Sequence, residues 1–475
     1  MALGGSRVAR RGGTGTAAAT YIVLAGLQRG VSLLILPLIT HAMRPSEYGA
    51  ASVLASASIL LTAVIAMPLT QLIIRTATSG VRNDPALLRT AGTYCYFVVP
   101  LASALLALCV SLFVPEVFGV AGFLWGIELL AIGLQPASSI YALWVAQARN
   151  DLPRFVRLSS ASIVITAVAK IVFVVLLELG VLGWVISDLV SATVSAILAM
   201  FLVRLPKAKV NTSHIRQVLA FTLPLIPHSA SLWALNFLSR PAMVAVSSLE
   251  QVGLFSFGLS LTSAASLVLV ETNRATLAHY ARELFPAPTS ETFGVVRWQL
   301  VAAFAIPATI GCGLAIAGPW MIDKAYWPSF ALTGLLLVGQ AAYGLYIVPM
   351  NYLTQTAGLP RFSSLASGAG AVTIVALIFT LGRRQGAEGA VHATVIGYFV
   401  MAGTAMLLTI FLRLEIHWSS WFKNWPEVLF AASALACSLG ALSSPVGSRE
   451  ALALAGGGLI MVLSGLLATR LRRAL

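Results

Sequence analysis

The stretch that decides the fold is residues 91–114, AGTYCYFVVPLASALLALCVSLFV, which contains no Asp, Glu, Lys or Arg. As a helix rising 1.5 Å per residue, it would span the roughly 30 Å of hydrocarbon in a bilayer. Similar stretches recur along the 475 residues, of which 58% are hydrophobic and only 10% charged, with a mean hydropathy of +0.90. A soluble chain carries about a quarter of its residues charged. The composition therefore predicts an integral membrane protein.

Lipid offers no partner to exposed backbone groups, so each apolar stretch must form a helix or join a closed barrel. A barrel would show alternating segments of about ten residues, which this sequence lacks. Arg7, Arg10 and Arg11 resemble the start of a signal peptide, but the apolar run after them is too long, which favours an uncleaved first helix. We predict an all-α integral membrane protein with about 14 transmembrane helices, at residues 15–40, 49–74, 91–114, 122–146, 158–179, 182–203, 218–245, 251–272, 295–318, 330–354, 363–382, 389–412, 427–444 and 451–469.

The net charge of +14 is explained by topology rather than by nucleic-acid binding. With the N-terminus inside, most of the 30 Lys and Arg residues fall in cytoplasmic segments. This asymmetry is the positive-inside rule, and it predicts that both termini are cytoplasmic. The basic residues outside the cytoplasmic segments are Arg44, Lys324, Arg383, Arg384 and Arg449 in external loops, and Arg29, Lys170 and Arg240 within spans.

Several function classes are excluded by missing motifs. The sequence has no GxxxxGK[ST] phosphate loop, no HExxH, and no large external loop with paired carboxylates. All four cysteines fall inside predicted helices without metal-ligand spacing, so they are interpreted as packing residues. We therefore expect no cofactor, no metal site and no enzymatic activity, and a transporter working by conformational change is what remains.

An internal repeat indicates how the helices are grouped. Three matches occur in the same order at offsets of 204 to 207: residues 46–49 with 250–253, 152–155 with 359–362, and 180–183 with 386–389. Each copy contains six helices, an even number, so the copies keep the same orientation and a substrate path is expected between them. The predicted organisation is a cytoplasmic N-terminus (1–14), an N-lobe of six helices (15–203), a cytoplasmic linker (204–217), a C-lobe of six helices (218–412), a second cytoplasmic linker (413–426), two C-terminal helices (427–469) and a cytoplasmic C-terminus (470–475).

Four segments carry a family resemblance. Residues 223–228 (LPLIPH), the Ser239-Arg240 pair and residues 252–256 (VGLFS) resemble the seventh and eighth helices of bacterial polysaccharide flippases, the Wzx-like members of the MATE/MOP exporter superfamily. Residues 44–49 (RPSEYG) are similar to a turn of that family, in compressed form. The family often has Asp where this chain has Ser239, which puts any Asp-dependent coupling in question.

The resemblance implies movement of undecaprenyl-pyrophosphate-linked oligosaccharides across the bacterial inner (cytoplasmic) membrane by alternating access, for polysaccharide biosynthesis. The implied partners are this lipid-linked oligosaccharide and the bilayer lipids. H⁺ or Na⁺ are candidate coupling ions, and a polysaccharide polymerase or export machinery is a candidate protein partner. No nucleic acid is expected.

Charges inside the membrane are costly, by about 2.5–3.5 kcal/mol on insertion scales, and each needs a reason. Arg29 and Arg240 are candidate cavity cations for a pyrophosphate or acidic sugars, because a guanidinium binds phosphate in bidentate fashion. The alternatives are a structural partner for Arg29 and snorkelling to the outer surface for Arg240. Lys170 is a third cavity candidate, and its depth matches that of Asp188 on the next helix, which favours an ion pair; proton coupling at this pair is the other interpretation.

Three further residues are candidates near the seventh span. His228 is a candidate coupling residue, because a histidine can titrate near neutral pH, but its position favours a hydrogen-bonded core histidine. Pro224 and Pro227 are hinge candidates, because each removes a backbone hydrogen bond and favours a kink.

Two other functions compete with the flippase. A cation-coupled exporter of small molecules, of the multidrug type, would use the same fold, but its cavity should be acidic and aromatic, whereas the spans supply mainly basic residues. A membrane-embedded enzyme acting on polyprenyl lipids is disfavoured by the lack of a carboxylate cluster.

Overall fold

The computed structural model describes residues 13–66, 68–78, 84–223, 226, 237–419, 425–445 and 447–474, with the backbone alone at 13–23, 25, 26, 28, 29, 425 and 468–474. The fold is helical, as predicted. Apolar side chains such as Leu34, Phe201 and Phe411 stand 74–82% exposed on its outer faces, which is expected where the surrounding solvent is lipid rather than water.

The described residues of the first half of the chain form seven helices and one short hairpin. Strands β1 (Glu116–Val117) and β2 (Val120–Ala121) pair antiparallel between the fourth and fifth helices. The helices are α1 (Gly13–Ala42), α2 (Pro45–Ile65), α3 (Leu69–Ala77), α4 (Pro85–Phe113), α5 (Gly122–Ala148), α6 (Leu152–Leu176) and α7 (Gly180–Leu202).

The second half contains the repeat of this arrangement and two further helices. A short 3₁₀ turn, Lys324–Tyr326, precedes α12. The helices are α8 (Thr212–Thr222), α9 (Ser239–Val244), α10 (Leu249–Arg282), α11 (Ser290–Met321), α12 (Pro328–Thr356), α13 (Pro360–Gln385), α14 (Ala387–Phe411), α15 (Trp425–Ser443) and α16 (Ser448–Ala474).

Twelve helices in the described part are long and apolar enough to cross a membrane. They correspond to twelve of the fourteen predicted spans, and the fold class is confirmed. The first predicted span coincides with α1. Within α1, the part identified as an apolar helix is Gly30–Ala42. The seventh predicted span, 218–245, lies mostly outside the described residues.

One predicted span differs from the structure in its course. The sequence predicts one helix over residues 49–74, but in the structure the helix is interrupted between α2 and α3, where Pro68 precedes the first residue of α3. Proline lacks a backbone donor and clashes with the preceding turn, so the helix ends before it. In the linker predicted at 204–217, α8 already begins at Thr212.

The repeat is visible in local geometry. The π-helical turn Ile171–Leu176 ends α6 and the π-helical turn Ile378–Gly382 lies at the corresponding place in α13, 207 residues further on. Each turn is followed by a glycine with positive φ, Gly180 at 55° and Gly386 at 59°, a conformation that glycine adopts without strain. The two lobes therefore share their helix order and their irregularities.

Helices α2 and α10, which are equivalent in the repeat, cross each other at their first turns. A Cβ on Gly49 would overlap the carbonyl oxygen of Leu249, and a Cβ on Gly253 would overlap that of Pro45. Because 49 and 253 are equivalent positions, each lobe presents the same residue to the other, as at a two-fold axis. Glycine is required here since any side chain would separate the two backbones.

The contact continues one turn further along both helices. Ser52 Oγ donates a hydrogen bond to Ser256 Oγ at 2.9 Å, again between equivalent positions. We call the four residues Gly49, Ser52, Gly253 and Ser256 the lobe junction.

Aromatic side chains reinforce the same end of the molecule. Tyr48 packs edge-on against Trp184, Phe257 and Tyr326, with ring centroids 5.9–6.1 Å apart. Tyr326 Oη also donates a hydrogen bond to the carbonyl oxygen of Met43 at 3.0 Å. These contacts join α1 and α2 of the N-lobe to α10 and the turn before α12 in the C-lobe, so the lobes are held together at this end.

Candidate functional site

A cavity of about 630 Å³ extends from the lobe junction between the helices of the N-lobe and α10. Helices α1, α2, α5, α6 and α7 form most of its wall, and Ser260 and Ser263 of α10 close it on the C-lobe side. Eleven serines and threonines line the cavity, so its wall is rich in hydroxyl groups that can hydrogen-bond a polar solute.

Lys170 and Asp188, which the sequence places at equal depth on adjacent helices, lie together on the cavity wall. Lys170 Nζ is 3.0 Å from Asp188 Oδ1. The ammonium also lies 3.4 Å from the ring centroid of Trp184 and donates to the carbonyl oxygen of the same residue at 3.3 Å. A carboxylate, an aromatic face and a carbonyl thus surround one buried cation, as a charge inside the membrane requires.

Glu128 is a cavity residue that the sequence does not indicate, because its position near the start of a predicted span is compatible with contact with water. The structure shows instead that Glu128 is only 2% exposed and lines the cavity. Its Oε2 has no hydrogen-bond partner among the described residues. The cause is the packing of α5 against α2 and α7, which turns this face inward. The sequence feature that indicates this packing is the pair Gly122 and Gly126 on the same helix. These glycines permit a close approach of α4 to one side of α5.

Arg240, in the short helix α9, also lines the cavity. Its guanidinium carbon lies 5.4 Å from the ring centroid of Phe237, and its Nη1 is 3.5 Å from Ser56 Oγ. Its Nε has no hydrogen-bond partner, and no carboxylate pairs with it within the described part of the chain. Arg240 therefore presents unneutralised positive charge to the cavity.

The remaining predicted residues are not placed. The side chain of Arg29 is outside the description, although its backbone lies within α1. Pro224, Pro227 and His228 lie outside the described residues. No group of three or more His, Cys, Asp or Glu residues is arranged to hold a metal ion in the ranges that the structure covers.

The ion pair gives a first testable expectation. Replacing Lys170 by Met or Asp188 by Asn leaves one buried charge without its partner, which costs up to about 3–5 kcal/mol. The double variant removes both charges and should be more stable than the worse single variant. Thermal unfolding of the detergent-purified protein measures the order. A double variant no more stable than the worse single one would show that the two charges do not stabilise each other.

Comparison with known structures identifies the fold. Similar folds occur in "Lipid II flippase MurJ, inward closed conformation" (TM-score 0.71, 10% identity, 94% of this chain and 98% of that chain) and in an inward-facing multidrug resistance MATE family transporter of the MOP superfamily (TM-score 0.63, 13% identity, 83% and 96%). The MATE multidrug transporter DinF-BH is also similar (TM-score 0.53, 13% identity, 87% and 99%). The chain is thus a multi-pass membrane protein that shares its fold with these three structures.

The family follows from sequence. Residues 38–283 match a protein family described as "Polysaccharide biosynthesis protein". The match covers more than half of the 475 residues. The chain belongs to this polysaccharide biosynthesis protein family. A comparison with curated protein sequences finds no significant match.

Proposed function

We propose that this protein moves undecaprenyl-pyrophosphate-linked oligosaccharides from the inner to the outer leaflet of the bacterial inner membrane, for surface or extracellular polysaccharide biosynthesis. Its family membership supports a role in polysaccharide biosynthesis, and its fold is that of a transporter. The reaction changes the position of the substrate and no covalent bond in it, so the protein is proposed to be a transporter and not an enzyme.

The observation that carries the proposal is the chemistry of the cavity wall. Hydroxyl groups from eleven serines and threonines match the hydroxyls of a sugar without requiring a fixed charge. The unpaired guanidinium of Arg240 matches a phosphate oxygen, since charge-assisted hydrogen bonds to phosphate are the strong ones. The volume of about 630 Å³ lies within the usual range of ligand pockets, roughly 300–1,000 Å³. It accommodates part of a head group, while the polyprenyl tail remains in the bilayer.

Transport would follow alternating access. Equivalent residues of the two lobes meet at the lobe junction, and the cavity lies beyond it, which describes a transporter closed at one end. Parallel repeats related by an axis along the membrane normal can rock against each other around such a contact. We propose that the lobe junction separates when the substrate is released and re-forms when the empty protein returns.

Orientation is proposed from charge. With most Lys and Arg residues inside, both termini are cytoplasmic and the lobe junction faces outward. Single cysteines in a cysteine-free background check this: one at Lys324 should react with an impermeant thiol reagent in intact cells, and one at Lys207 should not. The reverse pattern would contradict the orientation. The polysaccharide polymerase or export machinery remains a proposed partner, and H⁺ or Na⁺ the proposed coupling ion.

A second candidate is a multidrug-type exporter of organic cations. It is favoured by the presence of two carboxylates, Glu128 and Asp188, in the cavity. Lys170 neutralises Asp188 at 3.0 Å, however, which leaves Glu128 and Arg240 as the unpaired charges of the described wall. This balance lacks the acidic excess that a binding site for cations needs, so the flippase is preferred.

Deletion of the gene distinguishes the two functions. For the flippase, cells without the protein should lose surface polysaccharide and accumulate lipid-linked oligosaccharide on the inner leaflet, and expression of the intact chain should reverse both changes. Susceptibility to cationic dyes should stay the same. Normal polysaccharide combined with hypersensitivity to cationic dyes would instead identify a multidrug exporter.

A further inference from the structure

A second cavity lies outside the candidate substrate site, where the ends of α5 and α7 meet the start of α6. Its volume is about 450 Å³. Three arginines line it: Arg149 directly after α5, Arg154 in the first turn of α6, and Arg204 just beyond α7. We call it the arginine pocket.

One of these arginines is already paired. Asp151, which also lines the pocket, accepts a hydrogen bond from the backbone N–H of Arg154 at 3.2 Å and forms an ion pair with its guanidinium at 2.7 Å. Arg149 and Arg204 have no ion pair in the parts of the chain that the structure covers. The arginine pocket therefore has an excess of positive charge on two guanidinium groups.

The walls that carry these arginines are fixed by hydrogen bonds to backbone carbonyl groups. The N–H of Asp151 donates to the carbonyl oxygen of Ala146 at 2.8 Å, which closes the turn between α5 and α6. Tyr96 Oη donates to the carbonyl oxygen of Val203 at 2.9 Å and so ties the end of α7 to α4. The pocket is part of the N-lobe rather than a gap between mobile loops.

An exposed apolar strip adjoins the pocket. Phe201 lines it and is 74% exposed, and Ile197, one helical turn earlier on the same face of α7, is 49% exposed. This apolar strip leads from the guanidinium groups along the outside of the helix. Under the proposed orientation the pocket lies at the inner leaflet, where anionic phospholipids carry their phosphates.

The C-lobe repeats only part of this arrangement. At the repeat offset of 207, Arg154 corresponds to Arg361, and Arg413 lies two residues beyond α14 as Arg204 lies two residues beyond α7. Arg149 corresponds to Thr356, so one of the two unpaired arginines is specific to the N-lobe.

We propose that the arginine pocket binds the phosphate of an anionic phospholipid of the inner leaflet. Arg149 and Arg204 contact the phosphate oxygens, for which the planar guanidinium has matching donors. Phe201 and Ile197 contact an acyl chain. The site is separate from the substrate cavity. Of the proposed function, this proposal depends only on the orientation of the protein in the membrane.

The test uses the full-length protein purified from vesicles of phosphatidylcholine with a minor fraction of phosphatidylglycerol. Native mass spectrometry of the monodisperse fraction measures how much phosphatidylglycerol stays bound. Arg149→Gln/Arg204→Gln should retain it at least about tenfold less well, because each basic residue near a lipid surface contributes about 1 kcal/mol. The control Arg361→Gln removes an exposed arginine from the C-lobe and should retain it as the parent does.

A soluble phosphate compound is the competing ligand. In pure phosphatidylcholine vesicles, millimolar inorganic pyrophosphate should shift the melting temperature of the parent and of the double variant by the same amount, because any binding at Arg240 in the substrate cavity is common to both. Equal retention of phosphatidylglycerol by the parent and the double variant would overturn the proposal. So would stabilisation of the parent alone by pyrophosphate, since the ligand would then come from solution. Because neither readout involves glycan export, failure here leaves the proposed flippase function intact.

Discussion

A disulfide between cysteines placed at Ser52 and Ser256 should stop polysaccharide export completely, and a reductant should restore it. The two hydroxyl oxygens are 2.9 Å apart across the lobe junction, so cysteines at these positions are close enough to oxidise. The bond would hold together the two lobes at the end that must open to release the substrate. Export is measured as surface polysaccharide in a strain whose only copy of the gene encodes the variant. The four native cysteines are first replaced in that gene.

The matched control is a disulfide that lies within one lobe. A Cβ at position 126 would lie 3.3 Å from Ser111 Cβ, between α4 and α5. The Ser111→Cys/Gly126→Cys protein should form its disulfide and still export, because both helices move with the N-lobe. Each single cysteine at the lobe junction should also export. Full export by a quantitatively oxidised Ser52→Cys/Ser256→Cys protein would contradict alternating access at this junction.

Arg240→Ala should produce the second large effect, a loss of export at normal expression. Losing a charge-assisted hydrogen bond to the phosphate costs about 1.5–3 kcal/mol, or roughly 10- to 150-fold in binding. Arg240→Lys should recover only part of the export, since the lysine keeps the charge and loses the two-pronged geometry. Transport of lipid-linked oligosaccharide by membranes with equal amounts of each variant gives the measurement.

Two further variants separate binding from folding at this position. Arg240→Met keeps the length of the side chain and should fail to export as Arg240→Ala does. If the arginine were structural, Met would restore the amount of folded protein and with it the export. Arg361→Ala removes an exposed arginine with no place in the cavity and should export normally. Full export by well-expressed Arg240→Ala protein would remove this residue from the proposed phosphate site.

Much of the fold could be predicted from sequence because lipid imposes a simple rule. Uninterrupted apolar stretches must become helices in a bilayer, and twelve predicted spans match helices of the structure. The pairing of Lys170 with Asp188 followed from depth alone, since each residue of a helix advances by a fixed 1.5 Å. Both predictions depend on distances along a helix axis.

What could not be predicted depends on rotation about a helix axis and on contact between helices. Glu128 lies near the start of its span in sequence, but the packing of α5 turns it into the cavity, and no count of residues gives that rotation. The repeat matched residue 49 with residue 253, which identified equivalent positions without placing them in contact. That they meet at a two-fold axis follows only from the close approach of α2 and α10.

Movement of a lipid-linked oligosaccharide by the purified protein tests the central claim most directly. Vesicles containing a substrate with a labelled glycan are treated with an impermeant glycosidase, with and without the reconstituted protein. In protein-free vesicles the enzyme should reach only the outer-leaflet half of the substrate. With the protein present, nearly all of the label should become accessible within minutes, and the oxidised Ser52→Cys/Ser256→Cys protein should behave like empty vesicles. Accessibility that remains at the protein-free level in vesicles containing the intact, folded chain would contradict the proposed flippase function.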